Sequence, residues 1–376
     1  MGQDRNRQDS LALHTEVVDC DRIVRDPLVS VVMITYKHEP YIAQAIEGVL
    51  SQETDFPIEL IIGEDCSSDR TREIVLEFQR RYPEMIRVLF SEKNVGMQKN
   101  FRRTALAARG KYLAFCEGDD WWHRRDKLKI QISALLADSS LVGVAAEFQH
   151  ISAGGQAIAF KKQSNPAQEP IRVEYEDLVT LHVILYTCTM VARTDAVRRV
   201  MLGDTLCSND SQLLGDLPLW LELSQLGPMM CLSETLASYR HTPNSASRQS
   251  DPLHRWRFGM STLDIVYRAL ERYPLPADAS KTSSLKARAA WRILVMSAWV
   301  GNATTARDQW RRLRALGGKV RWREVAFVAL ALIPLPRRSL KVVLTKVAPH
   351  LKKRRMAFDL IKYVARQTVF PNLYKE

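Results

Sequence analysis

Leu28-Val-Ser-Val-Val-Met-Ile-Thr35, running into Tyr36-Lys-His-Glu39, is the stretch whose reading decides the fold class. An unbroken apolar, β-branched run predicts a strand covered on both faces, and such strands belong to parallel sheets flanked by helices. Moving outward from it, Pro40–Gln52 reads as a helix and Ile58–Gly63 as a second strand. Ser68–Arg81 reads as a helix capped by Ser67 or Ser68. Ile86–Phe90 and Lys111–Cys116 supply two more strands around a helix over Gln98–Ala108. This alternation predicts βαβ units, an α/β class and a mostly parallel sheet. Past about residue 140 the pattern is mixed: strands are expected at Leu141–Phe148 and Tyr186–Ala192, and helices at Tyr175–Leu181, Thr194–Met201 and Leu214–Leu226.

The composition fits a folded chain with a substantial core: 376 residues, 46% hydrophobic and 26% charged, which excludes a mainly disordered or collagen-like protein. The longest apolar run, Val325–Ile333, is only nine residues, against about 20 for a membrane-spanning helix. The first 25 residues are polar and lack the apolar stretch of a secretory signal, so cytoplasmic residence is expected. Six scattered cysteines without a C-x-x-C pair suggest neither a zinc site nor a disulfide framework, as suits a reducing compartment.

The net charge of +12 is unevenly placed: Lys281–Glu376 carries 22 Lys+Arg against 4 Asp+Glu, while the preceding 280 residues carry 32 against 38. Two regions with different electrostatic roles are therefore expected. The expected division is a polar extension over 1–26, an α/β domain over 27–272, a linker over 273–284 and a basic, all-helical region over 285–376. Helices are expected at Leu285–Val300, Ala303–Leu316, Trp322–Ile333, Leu340–Val347 and Lys353–Gln367.

In parallel sheets function gathers at the carboxyl ends of the strands. Those ends hold Thr35-Tyr-Lys-His-Glu39, Glu64-Asp-Cys-Ser-Ser-Asp69 and Glu117-Gly-Asp-Asp120. For any one acid, turn and helix-cap chemistry is an adequate explanation. Glu117, Asp119 and Asp120 on one short turn are different, because they repel unless a cation sits among them; carboxylates suit a hard ion such as Mg²⁺ or Mn²⁺, and such ions suit a diphosphate.

Val31–Glu39, Glu64–Asp69, Asn94-Val-Gly96 with Asn100, and Gly110–Trp122 together resemble the family 2 glycosyltransferases of the GT-A fold. Gly215-Asp-Leu-Pro-Leu-Trp220 and Tyr239-Arg240 with Ser245 and Ser247 extend the likeness from Val29 to Ser247. The resemblance implies a GT-A type, Rossmann-like nucleotide-sugar domain ahead of the basic helices, and metal-dependent, inverting glycosyl transfer to a saccharide or lipid-linked saccharide of the cell envelope. It places Thr35, Tyr36, Glu39, Asp65, Lys99 and Glu117 on the donor and Asp119 on a divalent cation. Asp120, Trp121 and Trp122 fall toward the acceptor or behind the metal, and Asp216 takes the general-base position. A cap just ahead of Leu217-Pro218 is the alternative for Asp216.

Departures from the family pattern are local. Glu stands for the usual Asp at 64 and at 117, keeping the charge and adding a methylene. The family's third metal ligand, a His three residues beyond the Tyr, is Thr242 here; His241, one residue early, is the candidate metal ligand in its place, the alternative being that one residue of slip in the strand turns its side chain to the other face. Gln249 and Arg255-Trp256 are too far apart to form the Q-x-x-R-W element of processive synthases, so single additions are expected. Trp121-Trp122 could offer a sugar platform or wedge the acidic turn against the core. His150, His182 and His254 show no ligand spacing.

For the basic tail, an anionic membrane surface is the expected partner through 321–376. Val325–Leu335 is apolar and flanked by Arg321, Arg323, Arg337, Arg338 and Lys341; Lys352-Lys-Arg-Arg355 follows, with Tyr363, Phe370 and Tyr374 able to sit at headgroup depth. A solvated face or a protein partner is the alternative, and the lack of a stacking platform argues against nucleic acid. Two other functions remain open: a nucleotidyltransferase, which should carry a Gly-rich phosphate loop after the first strand, and a non-catalytic membrane-bound scaffold.

Overall fold

A computed structural model of the chain describes residues 15–159, 169–210, 212–243, 252–275, 279–299 and 302–316. The chain divides into two compact units, residues 1–242 and 243–376. That boundary falls earlier than the expected one after residue 272, because Pro252–Arg272 is a helix that groups with the C-terminal unit.

The first unit is built on a nine-stranded mixed sheet in the order β1-β4-β3-β2-β5-β8-β6-β9-β7. The strands are β1 (Thr15–Val17), β2 (Val29–Thr35), β3 (Ile58–Glu64), β4 (Ile86–Phe90), β5 (Tyr112–Phe115), β6 (Gly143–Ser152), β7 (Ile171–Val173), β8 (Val191–Arg193) and β9 (Met229–His241). The apolar run behaves as its chemistry requires: β2 lies between β3 and β5, parallel to both, and all of its residues but one are buried. β3 and β4 continue the parallel part, while β1 and β8 close it with antiparallel pairings. Thr35 pairs with Glu64 and Glu64 with Phe90, so the carboxyl ends of three strands finish level and their turns share one edge.

Helices α1 (Ile42–Leu50), α2 (Thr71–Arg81), α3 (Met97–Leu106), α4 (Lys127–Ala137), α5 (Tyr175–Val179), α6 (Thr194–Leu202) and α7 (Asp216–Leu223) complete this unit. At the opposite end of β2 and β3, buried Glu59 accepts from Ser30 Oγ at 2.6 Å, Arg109 Nη2 at 2.7 Å and Arg87 Nη1 at 3.1 Å. These donors hold its carboxyl below the usual range although burial pushes the other way.

Two local expectations change. The strand foreseen over Tyr186–Ala192 is a 3₁₀ turn, Thr187–Thr189, followed by the short β8. The carbonyls a ladder would need are taken by side chains: Cys188 O accepts from Trp122 Nε1 and Thr189 O from Gln131 Nε2. Neither Ser67 nor Ser68 caps α2; Asp69 Oδ1 accepts from Thr71 N at 3.1 Å and Glu39 Oε2 from Arg70 N at 3.1 Å. Thr15–Val17, in the expected polar extension, adds an edge strand to β4.

The second unit is helical over its described part: α8 (Pro252–Arg272), α9 (Ala279–Trp299) and α10 (Ala303–Ala315). Tyr267, Ala289, Ala290, Leu294, Ala306 and Leu313 form its core. α9 begins within the stretch expected to be a linker. The helices expected beyond residue 316, and the basic tail, lie outside the described residues. Among the described residues no helix is long and apolar enough to cross a membrane.

Candidate active site

The first strand-end loop is buttoned to the second by short polar contacts. Lys37, at a left-handed φ of 56°, donates its N–H to Ser67 Oγ at 3.0 Å. The N–H of His38 goes to Thr71 Oγ1 at 2.9 Å and that of Glu39 to Asp69 Oδ2 at 3.3 Å. Glu39 thus holds the start of α2, while Tyr36 stands exposed above the edge. Asp65 is buried, and its two oxygens accept from Val95 N (2.8 Å) and Gly96 N (2.9 Å). It fixes the loop ahead of α3, on which Lys99 is exposed. Glu64 is spent on Ser67 N and Arg72 Nε, both at 2.6 Å.

The acidic turn follows β5 and folds under the end of β2. Gly118 N donates to Ile34 O at 3.0 Å and Asp120 N to Glu117 O at 3.1 Å. The fit is close: a Cβ on Gly118 would lie 2.7 Å from Thr35 Oγ1 and 2.9 Å from His38 Nδ1. Thr35 Oγ1, His38 Nδ1 and Glu117 Oε2 are all sealed from solvent without a hydrogen-bond partner. Three sealed, unpartnered polar atoms at one turn depart from the rule that buried polar groups are satisfied, and such departures cluster at functional sites.

Burial, with charge crowding second to it, dominates the electrostatics of this turn. Burial, then the neighbouring Asp119 and Asp216, push the Glu117 carboxyl up to about 8, against a hydrogen bond from Thr187. Burial and the charges of Asp119 and Glu117 push Asp120 well above the carboxylate range. Asp216, in the first turn of α7, is raised by burial although Leu217 N donates to its Oδ1 at 2.7 Å. The Asp216 charge adds a smaller push on Glu117, which puts the expected base within electrostatic reach of the acidic turn. Helix-starting and base roles are compatible, since only one oxygen is spent on Leu217.

Arg240, on β9, clamps the turn. Its backbone N–H donates to Asp120 Oδ1 at 2.8 Å, and its Nε to Asp119 O at 2.8 Å. Nη1 reaches Ala153 O at 3.1 Å and Nη2 bonds Gln44 Oε1. The guanidinium stacks over Tyr41, 5.2 Å from the ring centroid.

One expected site residue is not brought to the turn, and another lies behind it. His241 follows Arg240 in the strand and so takes the opposite face; its Nε2 meets His150 Nδ1 at 2.8 Å among Phe148, Tyr186 and Tyr239. The metal expected to use it finds instead no group of three or more His, Cys, Asp or Glu side chains that could enclose an ion among the described residues. Trp122 is 1% exposed, donates Nε1 to Cys188 O at 2.8 Å and lies under Lys127 Nζ, 4.0 Å from its centroid. It wedges the turn and offers no sugar platform. Trp121 is half-buried, bridged to Ser238 by two backbone hydrogen bonds and packed near Gly48 of α1.

Arg240, His38 and Thr187 join the site without being expected there from the sequence. Tyr239-Arg240 was visible as a motif, but its target lies 120 positions away. Nothing in the local sequence marks the other two.

Residues 30–197 match the family model described as Glycosyl transferase family 2. They form a family 2 glycosyltransferase domain. An uncharacterized protein of Mycobacterium tuberculosis is 44% identical over 106 residues, 28% of this chain; the chain thus matches 31% of that relative's length. TuaG of Bacillus subtilis, named as a teichuronic acid biosynthesis glycosyltransferase, is 28% identical over 258 residues, covering 65% of this chain and 89% of TuaG. The structure of Staphylococcus aureus TarS residues 1–349 in complex with UDP-GlcNAc superposes with a TM-score of 0.54 at 17% identity, over 80% of this chain and 84% of that one. The glycosyltransferase domain therefore shares its α/β fold with a protein that binds a nucleotide sugar.

Proposed function

We propose that the protein transfers a single sugar from a nucleotide-sugar donor to a hydroxyl of a saccharide or lipid-linked saccharide, with inversion and with help from a divalent cation. The observation that carries the proposal is the buried, crowded acidic turn Glu117–Asp120 at the carboxyl edge of the sheet, with buried Asp216 close enough for its charge to act on Glu117. TuaG's name supports an envelope polysaccharide as the product class.

The residues suit a Mn²⁺ or Mg²⁺ ion through few protein ligands. Among the acids of the turn, Asp120 is tied to Arg240 N and Glu117 has a sealed oxygen; the Asp119 side chain is 18% exposed and can meet an ion. One or two carboxylates plus substrate phosphates is the usual way of holding such a cation. When bound, the ion would neutralise charge on the departing nucleoside diphosphate. Thr35, Tyr36, Asp65 and the loop it fixes frame the nucleotide, with Glu39 behind them and Lys99 at the rim. Asp216 takes the acceptor hydroxyl's proton as that oxygen attacks the anomeric carbon. The bond from that carbon to the diphosphate oxygen breaks and its electron pair leaves with the diphosphate. Burial raises the basicity of the Asp216 carboxylate, as a general base requires. Trp121 and Asp120 shape the acceptor side, and the basic residues 321–376 dock the enzyme on the anionic cytoplasmic face of a membrane.

The test is a thermal-shift and calorimetric screen of UDP-, GDP- and dTDP-sugars with and without Mn²⁺, followed by detection of released nucleoside diphosphate. Stabilisation by one nucleotide class that requires Mn²⁺ and is lost in Asp119→Asn is expected. Indifference to every nucleotide sugar would overturn the proposal.

A further inference from the structure

His38 starts the turn that launches α1, and its backbone leaves the ring little freedom. Its N–H is held by Thr71 Oγ1 at 2.9 Å, and its carbonyl accepts from Tyr41 N at 2.8 Å and Ile42 N at 2.9 Å. The ring is thereby carried across to the acidic turn, which belongs to a different strand. Nε2 lies 4.0 Å from Asp119 Oδ2, and both side chains are largely enclosed, at 24% and 18% exposure. On its other edge Nδ1 is sealed and lies against Gly118, where a Cβ would come within 2.9 Å of it. Its loop neighbours are engaged elsewhere: Lys37 lies over Tyr36, and Glu39 is spent on α2.

We propose that His38 is a positioning residue for Asp119: the 4.0 Å between Nε2 and Oδ2, beyond hydrogen-bond reach in this structure, closes to an N–H···O bond when the carboxylate takes up the divalent cation, so that the carboxylate presents itself in one orientation. The inference rests on the metal-dependent reading of the site given above. The physical ground is general. A carboxylate ligand held by an outer N–H donor loses less freedom on binding its ion, and removing such a donor costs about 10- to 100-fold in metal affinity. The arrangement also accounts for glycine at 118, since any larger residue would press on the ring at Nδ1.

The experiment is a Mn²⁺ titration followed by electron paramagnetic resonance on the full chain, with UDP and then GDP present. His38→Ala should weaken Mn²⁺ binding about 10- to 100-fold while the melting temperature without metal stays close to that of the wild type. His38→Gln, whose amide N–H₂ can extend toward Asp119, should recover most of the affinity, and the shorter His38→Asn should not. Should His38→Ala fail to fold, the Gln and Asn pair decides alone. Mn²⁺ affinity within twofold of wild type in His38→Ala or His38→Asn, while Asp119→Asn abolishes binding, overturns the role of His38 and leaves the proposed function standing. Undiminished binding in Asp119→Asn overturns the metal reading itself.

Discussion

The backbone N–H of Arg240 donates to Asp120 Oδ1 at 2.8 Å while the side chain of the same arginine holds Asp119 O. One residue of β9 therefore fixes both the carboxylate and the main chain of a turn 120 positions earlier. Arg240→Ala keeps the first bond and removes the rest, leaving the carbonyls of Asp119 and Ala153 without their donor, while Ser152 O keeps that of Gly155 N. We expect a loss of about 2–4 kcal/mol in urea-unfolding stability, in line with breaking a buried hydrogen-bond network. Weaker Mn²⁺-dependent nucleotide binding should accompany it. Unchanged stability would show the clamp to be incidental.

Asp216→Asn should lower transfer by about 10²–10⁴-fold, the usual contribution of a general base. The amide preserves the hydrogen bond from Leu217 N, so the helix start and the melting temperature should survive. Nucleotide-sugar binding should also be retained, and a parallel loss of binding and turnover would assign Asp216 to structure instead.

Gly118→Ala introduces a methyl 2.7 Å from Thr35 Oγ1 and 2.9 Å from His38 Nδ1. Overpacking of this kind costs about 1–3 kcal/mol, and here the strain falls on the donor loop. The variant should fold and lose Mn²⁺-dependent nucleotide stabilisation; full retention of that stabilisation in a thermal-shift assay contradicts the cradle described around Thr35.

Lys127 is fully buried against Trp122, donates to Gln131 Oε1 at 2.7 Å, and is lowered by burial to about 7. A depressed lysine binds fewer protons in the folded than in the unfolded state between its two pKa values. Its penalty is absent above the unfolded value of 10.5, grows as pH falls toward 7, and is constant below that. Glu117 acts in the opposite sense in a lower window: raised to about 8 from 4.5, it makes stability fall as pH rises between those values. Denaturant unfolding at pH 7 and pH 9 should therefore show Lys127→Met gaining most over wild type at the lower pH. A difference between the two proteins that does not vary with pH would refute the assignment.

Trp122→Ala should cost about 3–5 kcal/mol, as large-to-small changes at filled core positions do. Trp121→Ala, at a half-buried ring, should cost less stability and alter turnover. Equal destabilisation by the two would contradict their different burial.

The β-branched run at Val29–Thr35, the alternation after it and the three acid-bearing strand ends were legible in the sequence, because burial on both faces, helical periodicity and turn chemistry are local properties. The same locality explains why the acids of Glu117–Asp120 stood out: like charges two and three residues apart repel whatever the fold. What only the tertiary structure decided is which way the remaining side chains point. β6 and β9 slip register around Glu147, so the face taken by Arg240, and denied to His241, could not be counted along the chain. Adjacent tryptophans separated into a core wedge and a half-buried flank once the pairing of Trp121 with Ser238 was made. Packing between segments a hundred residues apart sets these directions, and no pattern within a single segment encodes it.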